Sequence, residues 1–166
     1  MNETYAETYV KPNVTTKSII VKGAFIAAMV IVALAAILLA NIVAILVAVV
    51  VIAILLWRFS YLDIAYEYIF VDGQMDFDKI YGGAKRKTAF RIDFEQVDMV
   101  VPKDDGRLGG YQNKNCKIMD FTAHDDTAKT YVMAGKHKDT TVLIYFDPNE
   151  KMMKAMRDKS RSKVTE

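Results

Sequence analysis

From Ala24 to Trp57 the chain runs for 34 residues without a charge, and Asn41 is the one polar side chain among them. A single helix of that length would extend about 50 Å, whereas the hydrocarbon core of a bilayer is about 30 Å thick and takes about 20 residues. Asn41 divides the run into 17 apolar residues before it and 16 after it. This spacing predicts two membrane helices, about 17–39 and 42–59, folded back on each other with Asn41 as a polar turn residue at the far interface. Small residues recur three or four apart (Gly23 and Ala27, Ala36 and Ala40, Ala44 and Ala48), which lets two such helices approach closely. The alternative is one long tilted span, with Asn41 inside the membrane and the two ends of the chain on opposite sides.

Before the run lies a polar segment, 1–16, whose Tyr5, Ala6, Tyr9 and Val10 form a short apolar set. That set either docks on the rest of the protein or frays. After the run the period changes to two. Ile64 to Val71 and Gln74 to Tyr81 flank Asp72-Gly73, a two-residue hairpin signal. Gly82-Gly83 then leads into Lys85 to Ile92, and Val97 to Val101 follows as the fourth strand of a meander. The glycine-rich loop from Lys103 to Asn113 reads as mobile and exposed. Cys116 to Phe121, Thr130 to Ala134 and Thr140 to Phe146 bring the total to seven short antiparallel strands. Helical spacing returns at Met152, Ala155 and Met156, preceded by Asp147-Pro148-Asn149-Glu150 as a cap, a first-turn proline and a carboxylate. This predicts a helix over about 148–159 and a polar, disordered tail over 160–166. The fold class is a membrane helical hairpin joined to a mostly β domain, 61–159, of seven strands capped by one helix.

Charge sharpens this picture. From Tyr61 onward 18 Lys and Arg balance 18 Asp and Glu, which excludes the broad basic field of a nucleic-acid-binding protein. Lys11, Lys17 and Lys22 precede the first helix, Arg58 follows the second, and the turn between them carries no cation, which predicts that both termini are cytoplasmic. Lys17, Lys22, Trp57, Arg58 and Tyr61 are the expected membrane-interface residues. The single cysteine, Cys116, forms no internal disulfide and favours a reducing compartment. Asn2-Glu3-Thr4 and Asn13-Val14-Thr15 fit the glycosylation pattern and also ordinary turn and cap chemistry.

Candidate chemistry is sparse. His124-Asp125-Asp126 and Asp104-Asp105 are lone clusters in turn-forming stretches, so no catalytic residue, metal site or cofactor is assigned. The strongest local feature is basic: Lys85, Arg86 and Lys87, with Lys79 and Arg91 on the same pair of strands. Near an anionic leaflet each such residue gains about 1 kcal/mol, which makes this set a candidate lipid-binding or partner-binding surface. The competing reading is a solvated edge in which these cations balance Asp76 and Asp78. The run from Lys151 to Lys163 holds six further cations, suited to a helix C-terminus or to a polybasic contact.

The runs Tyr66-Glu67-Tyr68-Ile69-Phe70-Val71-Asp72-Gly73, Asp76-Phe77-Asp78-Lys79-Ile80 with Ala84-Lys85-Arg86-Lys87, and Phe146-Asp147-Pro148-Asn149-Glu150-Lys151-Met152 resemble a family of small two-span bacterial membrane proteins of unknown function. The order of elements is also similar to pleckstrin-homology-like domains, in which two sheets form a half-open barrel and a helix plugs one end. That resemblance implies that Met152 and Met156 face the interior. Phosphoinositide-binding members carry basic residues around the first strand connection, and here that turn is Asp72-Gly73. The resulting expectation is a non-enzymatic, membrane-anchored interaction module. Its partners would be the bilayer, an unidentified membrane or cytoplasmic protein and anionic phospholipid, with no nucleic acid. The alternative is an accessory subunit of a membrane enzyme or transporter.

Overall fold

A computed structural model describes residues 5–112, 116–125 and 127–165. The Asn2-Glu3-Thr4 pattern, Asn113 and Asp126 lie outside these. The chain forms two compact units: Val14–Ile64 with Tyr81–Lys85 is one, and the remaining described residues form the other.

The first unit is built on α1 (Thr16–Leu39) and α2 (Ile42–Ser60). Both are long and apolar enough to cross a membrane. Leu38 is 85% exposed, Ile37 71% and Ile42 69%, an apolar surface that water would not tolerate and that lipid solvates. Ala40 turns the chain in a left-handed conformation, and its N–H donates to the Ile37 carbonyl at 3.2 Å. Asn41 then caps α2, its side-chain oxygen accepting from the Val43 N–H at 2.8 Å. The polar residue therefore sits in the turn between the helices. Ala36 and Ala48 are the buried residues of α1 and α2, and the rings of Phe25 and Phe59 meet edge-on at 6.5 Å. Ala36 and Ala48 thus share the seam between the helices with the larger Phe25 and Phe59, whereas Gly23, Ala27 and Ala40 of the expected small-residue pairs are exposed.

The second unit is a pair of four-stranded sheets. The first contains β1 (Tyr5–Val10), β2 (Ile64–Val71), β3 (Gln74–Tyr81) and β4 (Lys85–Asp93), in that order. β1 is the eighth strand, missing from the expected seven. It pairs antiparallel with β2 from Tyr5 opposite Val71 to Val10 opposite Tyr66. Its inward residues are Ala6 and Thr8, both buried, while Tyr5 and Tyr9 are 48% and 56% exposed. The large apolar side chains therefore point away from the core.

The second sheet contains β5 (Val97–Pro102), β6 (Lys117–Asp120), β7 (Tyr131–His137) and β8 (Thr140–Phe146), in the order β5-β7-β8-β6. The expected four-strand meander fails at β5. A 3-10 turn over Phe94–Gln96 buries Phe94 and anchors its N–H on the Gly73 carbonyl at 2.7 Å, which sends the chain into the other sheet. Not every strand is antiparallel, either. β6 runs parallel to β8, because the chain crosses the sheet before β7 begins. Gly135 lets β7 approach the start of β5 closely, since a Cβ there would lie 2.5 Å from the Gln96 carbonyl oxygen. The 103–112 loop winds into a 3-10 turn at Gly106–Leu108 and a short helix α3 (Gly109–Gln112). Leu108 is buried with Val101, Val132 and Leu143.

The closing helix α4 spans Glu150–Lys159. Its cap is Asn149, which accepts from the Met152 N–H at 2.8 Å, and not Asp147. Asp147 is instead drawn inward, accepting from the Ala123 N–H at 2.6 Å and the Thr130 hydroxyl at 2.7 Å. Met152 and Met156 are fully buried, with Tyr68, Phe70, Phe77 and Phe146 from the sheets. The tail also differs from expectation. Residues 160–165 are ordered, with Val164 bridged in parallel to Val100 of β5.

Candidate functional site

The cations of the predicted basic set have different partners. Arg86 reaches both oxygens of Glu67 at 2.9 Å, and Glu67 is 3% exposed. Removal from water pushes the Glu67 carboxyl above its ordinary range, opposed chiefly by the Arg86 charge. Arg91 forks onto Asp76, with Nε to Oδ1 at 2.6 Å and Nη2 to Oδ2 at 2.5 Å. Lys79 lies over the Tyr66 and Phe121 rings at 5.9 and 5.7 Å. Lys87 is exposed on β4. Two of the five cations are therefore engaged by carboxylates of their own sheet. Asp78, buried beside this face, leaves Oδ1 without a hydrogen bond among the described residues.

Lys85 belongs to the helical unit, where it joins the expected membrane-interface residues. Its ammonium lies 5.6 Å from the Tyr61 ring centroid, Tyr61 meets Trp57 edge-on at 5.5 Å, and Tyr81 packs 6.1 Å from Tyr61. Lys22 approaches Asp63 at 3.7 Å. Arg58 lies in the last turn of α2 and Lys17 in the first turn of α1. Tyr81 was legible only as a strand residue. Its place in this aromatic and cationic cluster depends on the Gly82 turn, whose N–H donates to the Asp63 carbonyl at 2.8 Å.

The six cations after Glu150 also divide. Lys151 stacks 5.8 Å over the Tyr5 ring, Lys159 donates to the Asp72 carbonyl at 3.3 Å, and Lys163 donates to the carbonyls of Phe94 and Glu95 at 2.9 and 3.1 Å. Lys154, Arg157 and Arg161 line a half-open groove of about 880 Å³ beside α4, together with Lys129. Tyr131, Pro148 and Met153 supply its apolar lining, and Glu150 and Asp158 its two carboxylates. Four cations against two anions on a partly apolar wall suit an anionic group carried on an apolar or extended ligand. The sequence does not single out this groove, because Lys129 is remote in the chain and only the approach of α4 to the start of β7 brings the four together.

His124 bonds through Nδ1 to the Thr122 hydroxyl at 3.2 Å and lies 3.9 Å from Asp120. Asp105 accepts from the Arg107 guanidinium at 2.9 and 2.7 Å and from the Arg107 N–H at 2.9 Å, which draws its carboxyl down to about 2. Asp125 is held below the ordinary range by the N–H and hydroxyl of Thr127. These bonds give both aspartates turn-capping roles. Among the described residues no three His, Cys, Asp or Glu side chains converge as a metal site would require.

Two sheets closed at one end by a C-terminal helix, with a two-helix apolar segment inserted after the first strand, define a PH-like domain that carries its own candidate membrane spans. The chain belongs to the bacterial PH-like domain family of unknown function DUF6106, whose family model matches residues 2–166. No curated protein and no solved structure matches it.

Proposed function

We propose that this protein is a membrane-anchored, non-enzymatic binding module whose β domain takes an acidic segment of an envelope protein. The observation that carries this reading is the groove beside α4, where Lys129, Lys154, Arg157 and Arg161 surround Tyr131 and Met153. Polar anchors on a partly apolar wall give both affinity and orientation. The distribution of flanking lysines supports a cytoplasmic position for both ends of the helical segment and for the β domain. The role as an accessory subunit of a larger membrane complex is the form this function takes if the acidic segment belongs to an enzyme or transporter.

Contact with anionic phospholipid is a second reading, favoured by the Trp57, Tyr61, Tyr81 and Lys85 cluster. It draws on Lys85 and Lys87 more than on Arg86 and Arg91, whose charges are met by Glu67 and Asp76. The test is cross-linking and co-purification of the full chain from native membranes. Lys154→Glu with Arg161→Glu should abolish a stoichiometric protein adduct, and Lys85→Ser with Lys87→Ser should leave it intact. The reverse pattern, with binding in nanodiscs that follows the anionic lipid fraction, would replace the protein reading by the lipid one.

A further inference from the structure

We propose that the outer edge of β5 is a docking site for an extended peptide of a partner protein, and that residues 160–165 occupy it as a resident, displaceable ligand. β5 has β7 on one side. On the other, Val100 gives both its backbone groups to the segment after α4. Its N–H donates to the Lys163 carbonyl at 2.7 Å, and its carbonyl accepts from the Thr165 N–H at 2.9 Å.

Three side chains of that segment meet three built subsites. Val164 is 7% exposed and belongs to the main core cluster. The Lys163 ammonium is clasped by the carbonyls of Phe94 and Glu95 and lies 5.8 Å from the Phe94 ring centroid. Those carbonyls belong to the 3-10 turn that leads into β5. The Thr165 hydroxyl accepts from Arg107 at 3.0 Å, and Arg107 is itself held by Asp105. Backbone pairing fixes register, and alternate side-chain pockets supply selectivity, which is how a peptide is recognised by strand addition. The matching partner is an extended segment reading Lys or Arg, then Val or Ile, then Thr or Ser.

The segment pairs with β5 through a single bridge, whereas β7 pairs with it through five residue pairs. With two backbone bonds to β5 and its remaining hold in side chains, the segment has less ladder pairing than β7 and is the part of this edge that opens first. Tethering raises the local concentration of the resident segment to about the millimolar range. The resident therefore screens the edge against unrelated strands and yields to a partner of matching chemistry. This site adds a second face to the binding module and shares one residue with the α4 groove, Arg161 of the resident segment; a full-length Val164→Ser chain keeps Arg161, so with that variant the two tests fail separately.

The experiment uses the full chain in nanodiscs, a form truncated after Lys159, and a fluorescein-labelled synthetic peptide of residues 160–166. The truncated form should bind the peptide saturably, the unmodified chain about tenfold more weakly because its own segment competes, and a Val164→Asp peptide should lose at least tenfold. Failure of the truncated form to bind while its near-ultraviolet circular dichroism is unchanged would overturn the proposal, as would equal binding by the unmodified chain. If truncation unfolds the domain, a full-length Val164→Ser chain replaces it, and no gain in peptide affinity over the unmodified chain overturns the proposal. Exchange of the segment between two copies, seen as a stoichiometric dimer by light scattering, would overturn it in favour of self-association.

Discussion

Tyr68 shows how single side chains tie the β domain together. Its ring is fully buried against Phe77 and Phe146, and its hydroxyl donates to the Phe121 carbonyl and accepts from the Asp147 N–H at 3.5 Å. Burial pushes that hydroxyl well above the ordinary phenol range, so it remains a donor. Tyr68→Phe leaves the Phe121 carbonyl without this donor and should cost about 1–2 kcal/mol in denaturant unfolding. Gly135→Ala would drive a methyl group into the Gln96 carbonyl and the Val97 Cα, 2.5 and 2.9 Å away, both of them backbone. Its expected cost is about 1–3 kcal/mol, with a shift of the β5 and β7 amide resonances as the fingerprint. Asp105 gives a pH signature. Its folded carboxyl titrates at about 2, below the unfolded value of 3.8, so its contribution is present above about pH 4 and is lost as pH falls toward 2. The Arg107 amide resonance should titrate with a midpoint near 2, and Asp105→Asn should abolish that step. Glu67 has the opposite sign, since its raised carboxyl supports the fold at low pH and loses that support as pH rises through its folded value.

Among the elements, β1 carries the most consequence for its length. Six residues pair in full register with β2, the Asn149 amide donates to the Glu7 carbonyl at 3.1 Å, and Asn13 donates to the Ala123 carbonyl at 2.6 Å. Ala6→Glu places a charge at a fully buried position and should render the β domain protease-sensitive, whereas Tyr9→Glu on the exposed face should leave it resistant. Limited proteolysis of membranes carrying each variant distinguishes them. β1 was hard to read because its alternation is inverted in size: small Ala6 and Thr8 face the core while Tyr5 and Tyr9 face out. Asp72-Gly73 was easy, because both residues require the left-handed region, with φ of 50° and 92°, and few sequences supply that so readily. The end of α4 lay between these cases. Periodicity located Met152 and Met156, but Asp147 and Asn149 are both competent caps, and the demand of Ala123 and Thr130 for an acceptor decided between them.

At the scale of the whole molecule, the pairing of β1 with β2 constrains the membrane topology. β1 precedes the two apolar helices and β2 follows them, yet they share one sheet, so both ends of the helical segment must lie on the same side of any bilayer that it crosses. A single long span is incompatible with that pairing. Reporters fused after Asn41 and after Glu166 should therefore report opposite sides, with the second cytoplasmic if the lysine distribution governs insertion. Agreement of the two reporters would refute the hairpin.

The sequence by itself determined the elements that local chemistry specifies: two apolar helices parted at Asn41, strands from Ile64 to Phe146 and the buried methionine face of α4. Length, charge and period are properties of contiguous residues, and they survive without knowledge of what lies across from them. Tertiary structure alone decided that β1 closes the first sheet, that β5 leaves it and that β6 runs parallel to β8. Side-chain alternation is blind to strand direction and neighbour. It also decided how the cations are distributed, because Arg91 meets Asp76 on the adjacent strand and Arg86 reaches Glu67 two strands away, while Lys129 and Arg161, distant in the chain, converge on one groove.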